Sequence, residues 1–180
     1  PQRIDGVDLH DTVEELWRDA VPDPVESDDT IDPFIARVDR AFPGLAEGNE
    51  NCPIEEVHNA IGEVLDHVDA DRIGLVPVRR PADVLTVLGW MGAQNHDLEM
   101  WRLSAVLRSW EDRFGAYLVG LGFDTVEIAV AAPPVSLVPS VAVAVEHFSV
   151  CPDIVRQGAA AIEAYAEQIA GARVWSFWWD

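Results

Sequence analysis

Apolar residues near the start of the chain recur at helical spacing. Leu9, Val13, Leu16, Trp17 and Ala20 fall on one side of a helix, with Asp11 and Glu14 spaced as a capping pair. A loop rich in Pro and acids follows over 21–32, then a short helix over 33–41 that ends near Pro43 and Gly44. Pro53 opens a second helix. On it Ile54, Val57, Ile61, Val64, Leu65 and Val68 make one apolar face, and Glu55 and Glu56 sit at the positive end.

Residues 73–78 read as a strand, and the corner at Arg79, Arg80 and Pro81 opens a helix through Leu88. After a loop at 89–92, Asn95 or Asp97 caps a long helix that stacks Leu103, Val106 or Leu107, Trp110 and Phe114. Gly115 supplies its left-handed end. Stretches 116–121 and 125–131 flank Gly122, Phe123 and Asp124 as a hairpin, with Val126, Ile128 and Val130 on one face and Glu127 on the other. The stretch 135–150 carries two signals. Alternating Val141, Val143 and Val145 favour a strand, whereas Ser136 with Pro139 in a first turn favours a helix, which is the reading taken; Pro152 ends it. Ile162, Tyr165 and Ile169 mark a last helix closed by Gly171. A final strand over 174–179 puts Trp175, Phe177 and Trp179 on one face and Trp178 on the other. The sum is an α+β fold, a mainly antiparallel sheet with helices packed on it, preceded by a helical acidic N-terminal region.

Composition sharpens this. With 180 residues and 49% hydrophobic content, the chain can bury a substantial core. Its net charge of -20 is uneven: residues 1–71 hold 20 acids and 4 Arg, residues 72–180 hold 12 acids and 8 Arg, and Lys is absent. The break divides the chain into an acidic helical region over 1–71, a subdomain or part of the same domain, and an α+β domain over 72–180. Nucleic acid is excluded as a partner because phosphate contacts need clustered positive charge, and anionic membranes are disfavoured for the same reason. No apolar run is long enough to span a bilayer, and no basic-then-apolar leader opens the chain, so a cytoplasmic location is expected. Cys52 and Cys151 form no closely spaced pair and read as reduced thiols.

Several stretches resemble a bacterial family, the domain of unknown function DUF4253. They are GLVPVRRPAD at 74–83 with Leu88, Gly89 and Trp90; LRSWEDRFGA at 107–116; and Gly122 to Thr125 running on to Pro133 and Pro134. Glu146 to Phe148, Cys151 to Asp153 with Gln157 and Gly158, and the terminal WSFWWD at 175–180 are the most specific. The resemblance covers about 72–180, with a weaker match at 42–46; residues 1–40 and 96–100 carry none. It implies a bacterial, actinobacterial source, which the use of Arg in place of Lys fits. It implies no activity.

The densest polar cluster is Glu146, His147, Cys151 and Asp153, with Gln157 beside it. On a helix His147 and Cys151 share a face one turn apart, so the imidazole could activate the thiol. Cys151 then lies at a helix C-terminus, where the dipole opposes a thiolate. Asp153 can instead cap the turn at 154–157. The same His and Cys are the weak metal candidates, but paired ligand spacing is missing, so no metal and no cofactor is expected. No nucleophile elbow, Walker loop or dinucleotide fingerprint occurs. Glu111 is placed to pair with an Arg elsewhere, and Arg113 closes the negative end of its helix or holds an anionic ligand. Six of seven Trp follow residue 89. Most suit packing, while Trp90 or Trp178 can line a groove, with Asn95, Arg113, Gln157 and Asp180 as further binding candidates. The favoured reading is a non-catalytic binding domain for a protein partner with a basic surface, or for a small ligand, in an immunity-like role by analogy only. The alternative is a small enzyme, a hydrolase or transferase, built on Glu146, His147, Cys151 and Asp153, with or without a metal.

Overall fold

The computed structural model describes residues 4–21, 34–35, 38, 40–48, 52–68, 70 and 72–180. The expected loop over 21–32 lies outside them apart from Val21, as does much of the expected helix over 33–41. Of the latter, Phe34, Ile35, Val38, Arg40 and Ala41 form turns and bends. The chain divides into two compact units that interleave in sequence, one of Pro1–Leu9, Glu47–Pro133 and Ala172–Asp180, the other of His10–Ala46 and Pro134–Gly171.

The first unit is built on a three-stranded antiparallel sheet in the order β1 (Ala116–Leu121), β2 (Thr125–Val130), β3 (Val174–Trp178). Its register pairs Val126 with Phe177 and Ile128 with Trp175, so their side chains share one face. Against that face lies α4 (Met100–Phe114). Trp110 stacks on Phe177 at 5.5 Å and meets Trp175 edge-on at 5.8 Å, while Phe114 meets Trp175 at 5.6 Å. Each such ring pair adds about 0.5–1.5 kcal/mol beyond the apolar area it buries. The opposite face is covered as well. Ala60 and Val64 of α2 (Ile54–His67) pack with Ala129, flanked by Ile61, Val119 and Val174. Helices therefore lie on both faces, and β3 carries bulky apolar residues at positions of either parity.

Local signals set the ends of α4. It closes at Gly115, whose φ of 57° is left-handed and whose N–H reaches the Glu111 carbonyl at 3.1 Å. Its start departs from expectation. Asn95 lies in a 3₁₀ turn, Gln94–His96, that Asp97 ends at φ 52°, so the helix begins only after Glu99. Before it, a 3₁₀ turn at Pro81–Asp83 runs into the short α3 (Val84–Leu88), ended by left-handed Gly89. The strand expected over 73–78 is not formed. Residues 72–78 form neither helix nor strand, and Ile73 and Leu75 are 96% and 97% exposed. Pro77 lacks the N–H a ladder needs and Gly74 weakens a strand from within, which outweighs the apolar run.

The second unit is helical. It holds α1 (Leu9–Ala20) from His10 onward, α5 (Leu137–Val150), a π-helical segment (Ile154–Ala159) and α6 (Ile162–Ile169). Because α1 starts at Leu9, Asp11 lies inside its first turn instead of capping it. The helix reading of 135–150 holds. From Val143 to Val150 every residue is buried, so the valine alternation reflects burial all round, not a pleated face. Trp17 meets Phe148 edge-on at 5.8 Å and donates its indole N–H to the Arg40 carbonyl at 2.8 Å. The Arg156 guanidinium lies over Phe34 and Phe148, 5.5 Å from each ring, and donates to the Ala20 carbonyl. Gly171, at φ 74°, follows α6 and donates to the Pro134 carbonyl at 2.7 Å. No helix among the described residues is long and apolar enough to cross a membrane.

Candidate functional site

The polar cluster singled out from sequence lies in the second unit, at the end of α5 and just after it. Glu146, His147 and Cys151 are fully buried and Asp153 is 6% exposed. Glu146 Oε1 accepts the Ala46 N–H at 2.6 Å, which ties the 40–46 segment to α5. His147 Nδ1 is 3.0 Å from the Tyr165 hydroxyl, and burial pushes that phenol well above its ordinary range. Cys151 follows the last turn of α5, its N–H on the His147 carbonyl, so the thiol does sit at the negative helix end. Asp153 precedes the π-helical segment but its side chain makes no capping bond, contrary to expectation. Its αR backbone differs from the extended geometry of a capping residue. These groups fit packed, hydrogen-bonded core residues better than a site open to substrate. His10, Asp11 and Glu14 of α1 bring three metal-capable atoms within 4.8 Å, on an exposed helix surface.

Two family-like stretches meet in the first unit through arginines that the candidate set did not include. Arg80 donates to Glu111 Oε2 at 2.6 Å, to Asp112 Oδ1 at 2.7 Å and to the Arg108 carbonyl at 2.8 Å. Glu111 Oε1 takes the Ala82 N–H at 2.7 Å, so the pairing expected for Glu111 is present and its partner is Arg80. Arg108 grips Asp83 with both Nε and an Nη, at 2.6 and 3.0 Å, and reaches Asp5 at 2.6 Å. These bonds hold both guanidinium groups above their ordinary pKa despite partial burial. Beside them lies an open hollow of about 380 Å³, lined by Ile4, Val7, Leu9, Ala105 and Ser109 together with Asp5, Arg80, Arg108 and Asp112. Four carboxylates face two guanidinium groups here, so the hollow does not favour an anion. The network fixes the 80–83 corner on α4.

A second hollow, of about 320 Å³, is lined by Trp90, Met91, Gln94, Asp97, Leu98, Glu99 and Met100. Trp90 is anchored from two directions. Its indole N–H donates to the Gly122 carbonyl at 2.9 Å, and its ring meets Trp179 edge-on at 5.4 Å. Gly92 makes this possible, since a Cβ there would lie 2.1 Å from Trp90 Cζ2 and 2.5 Å from the Phe123 carbonyl oxygen. Met91 is 63% exposed and Phe123, at the neighbouring hairpin turn, 91%. Asp97 is exposed and its carboxylate has no ion pair among the described residues, whereas Glu99 faces Arg102 at 3.7 Å.

The other candidates are dispersed. Asn95 is exposed in the 3₁₀ turn that precedes the second hollow. Arg113 donates to Ser109 Oγ at 2.8 Å and lies 5.0 Å over the Phe114 ring. Gln157 is exposed in the second unit, on the π-helical segment, and Asp180 is exposed at the chain end. Trp178 is half-buried, on the sheet face opposite Trp175 and Phe177. Sequence reasoning reached Trp90 but missed Met91, Leu98, Glu99 and Met100. Asp97 entered only as a helix cap. Periodicity is blind to Met91, Leu98 and Glu99 because they lie outside regular elements, while Met100 opens α4.

The first unit is thus a small α+β domain, a sheet between helices with an open, acid-edged aromatic hollow beside it. A family model, Domain of unknown function (DUF4253), matches residues 72–180, more than half of the chain, and the chain belongs to that family. Searches of curated proteins and of solved structures find no match.

Proposed function

We propose that this protein is a non-catalytic binding domain whose ligand surface is the hollow beside Trp90. The observation that carries the reading is an exposed apolar surface held in a fixed shape. Trp90 is pinned by Gly122 and Trp179, and Met91 and Phe123 are left to solvent next to it. Large exposed aromatic and Met side chains on a rigid support are what an interface uses to anchor a partner. The hollow draws on Asp97 to Met100, just before and at the first residue of α4. The enzyme alternative gains little from Glu146, His147, Cys151 and Asp153, which are between 0% and 6% exposed.

The test is a fragment screen followed by amide and indole N–H chemical shifts. Ligands should shift the Trp90 indole signal and the amides of Met91 and residues 97–100. Hits that cluster elsewhere, or shift no indole resonance, would overturn the proposal.

A further inference from the structure

We infer that the hollow beside Trp90 receives a cationic side chain, an arginine presented by a basic partner protein. This rests on the binding reading above and names the occupant. At about 320 Å³ the hollow lies at the low end of the ~300–1,000 Å³ range typical of small-molecule sites, and it is open to solvent. That suits one long side chain entering from a partner better than an enclosed metabolite. Leu98, Met91 and Met100 supply soft apolar walls for a three-carbon stem. Trp90 supplies an aromatic ring whose own N–H is already used on Gly122, so what the ring still offers is its surface and its quadrupole, which attract a guanidinium. Asp97 supplies the counter-charge. Its carboxylate is exposed and without an ion pair among the described residues, and a guanidinium can bind it with two parallel N–H groups.

Charge complementarity selects the partner's sign. The chain carries -20, so a basic surface is drawn in and an acidic one repelled at long range. Locally, Arg102 is already on Glu99 at 3.7 Å, and the incoming group is left to Asp97. An anionic occupant would set a second negative charge beside that carboxylate, and a neutral one would leave it to solvent.

The experiment titrates the full chain with a short capped peptide, Leu-Arg-Leu, and with its counterpart carrying citrulline, which keeps the shape and removes the charge. The Trp90 indole N–H shift reports occupancy. The arginine peptide should bind about tenfold more tightly than the citrulline one, with the preference shrinking in high salt. Asp97→Asn should erase most of the preference. Asn tolerates the left-handed backbone at this position, so the variant keeps its fold. Glu55→Gln, an exposed acid on α2, removes the same unit of net charge away from the hollow and should change affinity less than twofold. Equal binding of the two peptides, an unchanged preference in Asp97→Asn, or an equal loss in Glu55→Gln overturns the cationic inference while leaving the binding surface standing. If neither peptide nor any neutral fragment shifts the Trp90 indole, both fall.

Discussion

Arg108 offers a sharp test because one guanidinium holds two carboxylates in different surroundings. The Asp83 side chain is 10% exposed and takes a bidentate grip at 2.6 and 3.0 Å; the Asp5 side chain is 66% exposed and takes a single contact at 2.6 Å. Removing one member of a buried pair strands the other charge and costs about 3–5 kcal/mol. In Asp83→Ala the stranded Arg108 keeps Asp5 and some solvent, so the expected cost falls to about 2–3 kcal/mol. Asp5→Ala should cost only a small fraction of that, because water replaces an exposed carboxylate and salt screens it. Urea unfolding at neutral pH, followed by tryptophan fluorescence, measures both, and the double variant with Arg108→Ala gives the coupling. Asp5 also has a proton readout. The hydrogen bond from Arg108 holds its carboxyl below the ordinary 3.8, so the contact stabilises above pH 3.8 and is lost as pH falls through the lower folded-state midpoint. An NMR titration should place the Asp5 midpoint below 3.8 and return it toward that value in Arg108→Gln. Equal costs for Asp5→Ala and Asp83→Ala, or an Asp5 midpoint indifferent to Arg108, would refute the assignment of a buried grip and an exposed contact.

Glu146→Ala removes the acceptor of the Ala46 N–H and opens a void in a fully buried position, so unfolding should become easier by about 2–4 kcal/mol; a loss under ~0.5 kcal/mol in the same urea assay contradicts the role given to it. Gly92→Ala drives a methyl into Trp90 and the Phe123 carbonyl, and should displace the Trp90 indole signal and weaken every ligand that uses the hollow while the Trp110 and Trp175 signals stay put. Thiol reagents should find Cys151 only after unfolding, since it is fully buried. Cys52, half-buried and with its thiol pushed up by burial, should react slowly in the native state. Rapid native labelling of Cys151 would revive the nucleophile reading.

Much of the fold was legible because its signals are local. The apolar stripe of α1, that of α2 over Val57, Ile61, Val64 and Val68 though not at the exposed Ile54 and Leu65, the Gly115 stop, the hairpin around Gly122 and the split aromatic faces of β3 each follow from one short stretch of sequence. Where the reading went astray, a longer-range competitor won. The run at 73–78 has strand composition, but Pro77 and Gly74 spoil the ladder and the segment joins neither edge of the sheet. Asn95 and Asp97 have capping chemistry, yet both were used to make and end a 3₁₀ turn before α4 could start. The site was less legible still. Arg80 and Glu111, or Arg108 and Asp5, are far apart in sequence, and no spacing rule brings such partners together. Most of the hollow's walls lie in irregular chain between α3 and α4, where hydrophobic periodicity carries no information.

The uneven charge also changes meaning once the contacts are known. Read along the chain, 20 acids against 4 Arg in residues 1–71 mark off an acidic region from a nearly neutral one. Within the first unit, however, three of those acids serve as counter-charges to arginines of the family-matched stretch. Asp5 meets Arg108 at 2.6 Å, and Glu56 and Glu63 meet Arg173 at 2.5 and 3.6 Å. The helix that carries Glu56 and Glu63 is the one that covers the Ala129 face of the sheet. Salt bridges this exposed add little stability on their own. Their value here is orientation, because they set α2 in register over an apolar surface whose burial does the stabilising. The family-matched residues 72–180 supply a sheet with one face covered by their own α4. The other cover comes from upstream, so the acidic stretch is structural cover for the sheet as well as a source of charge.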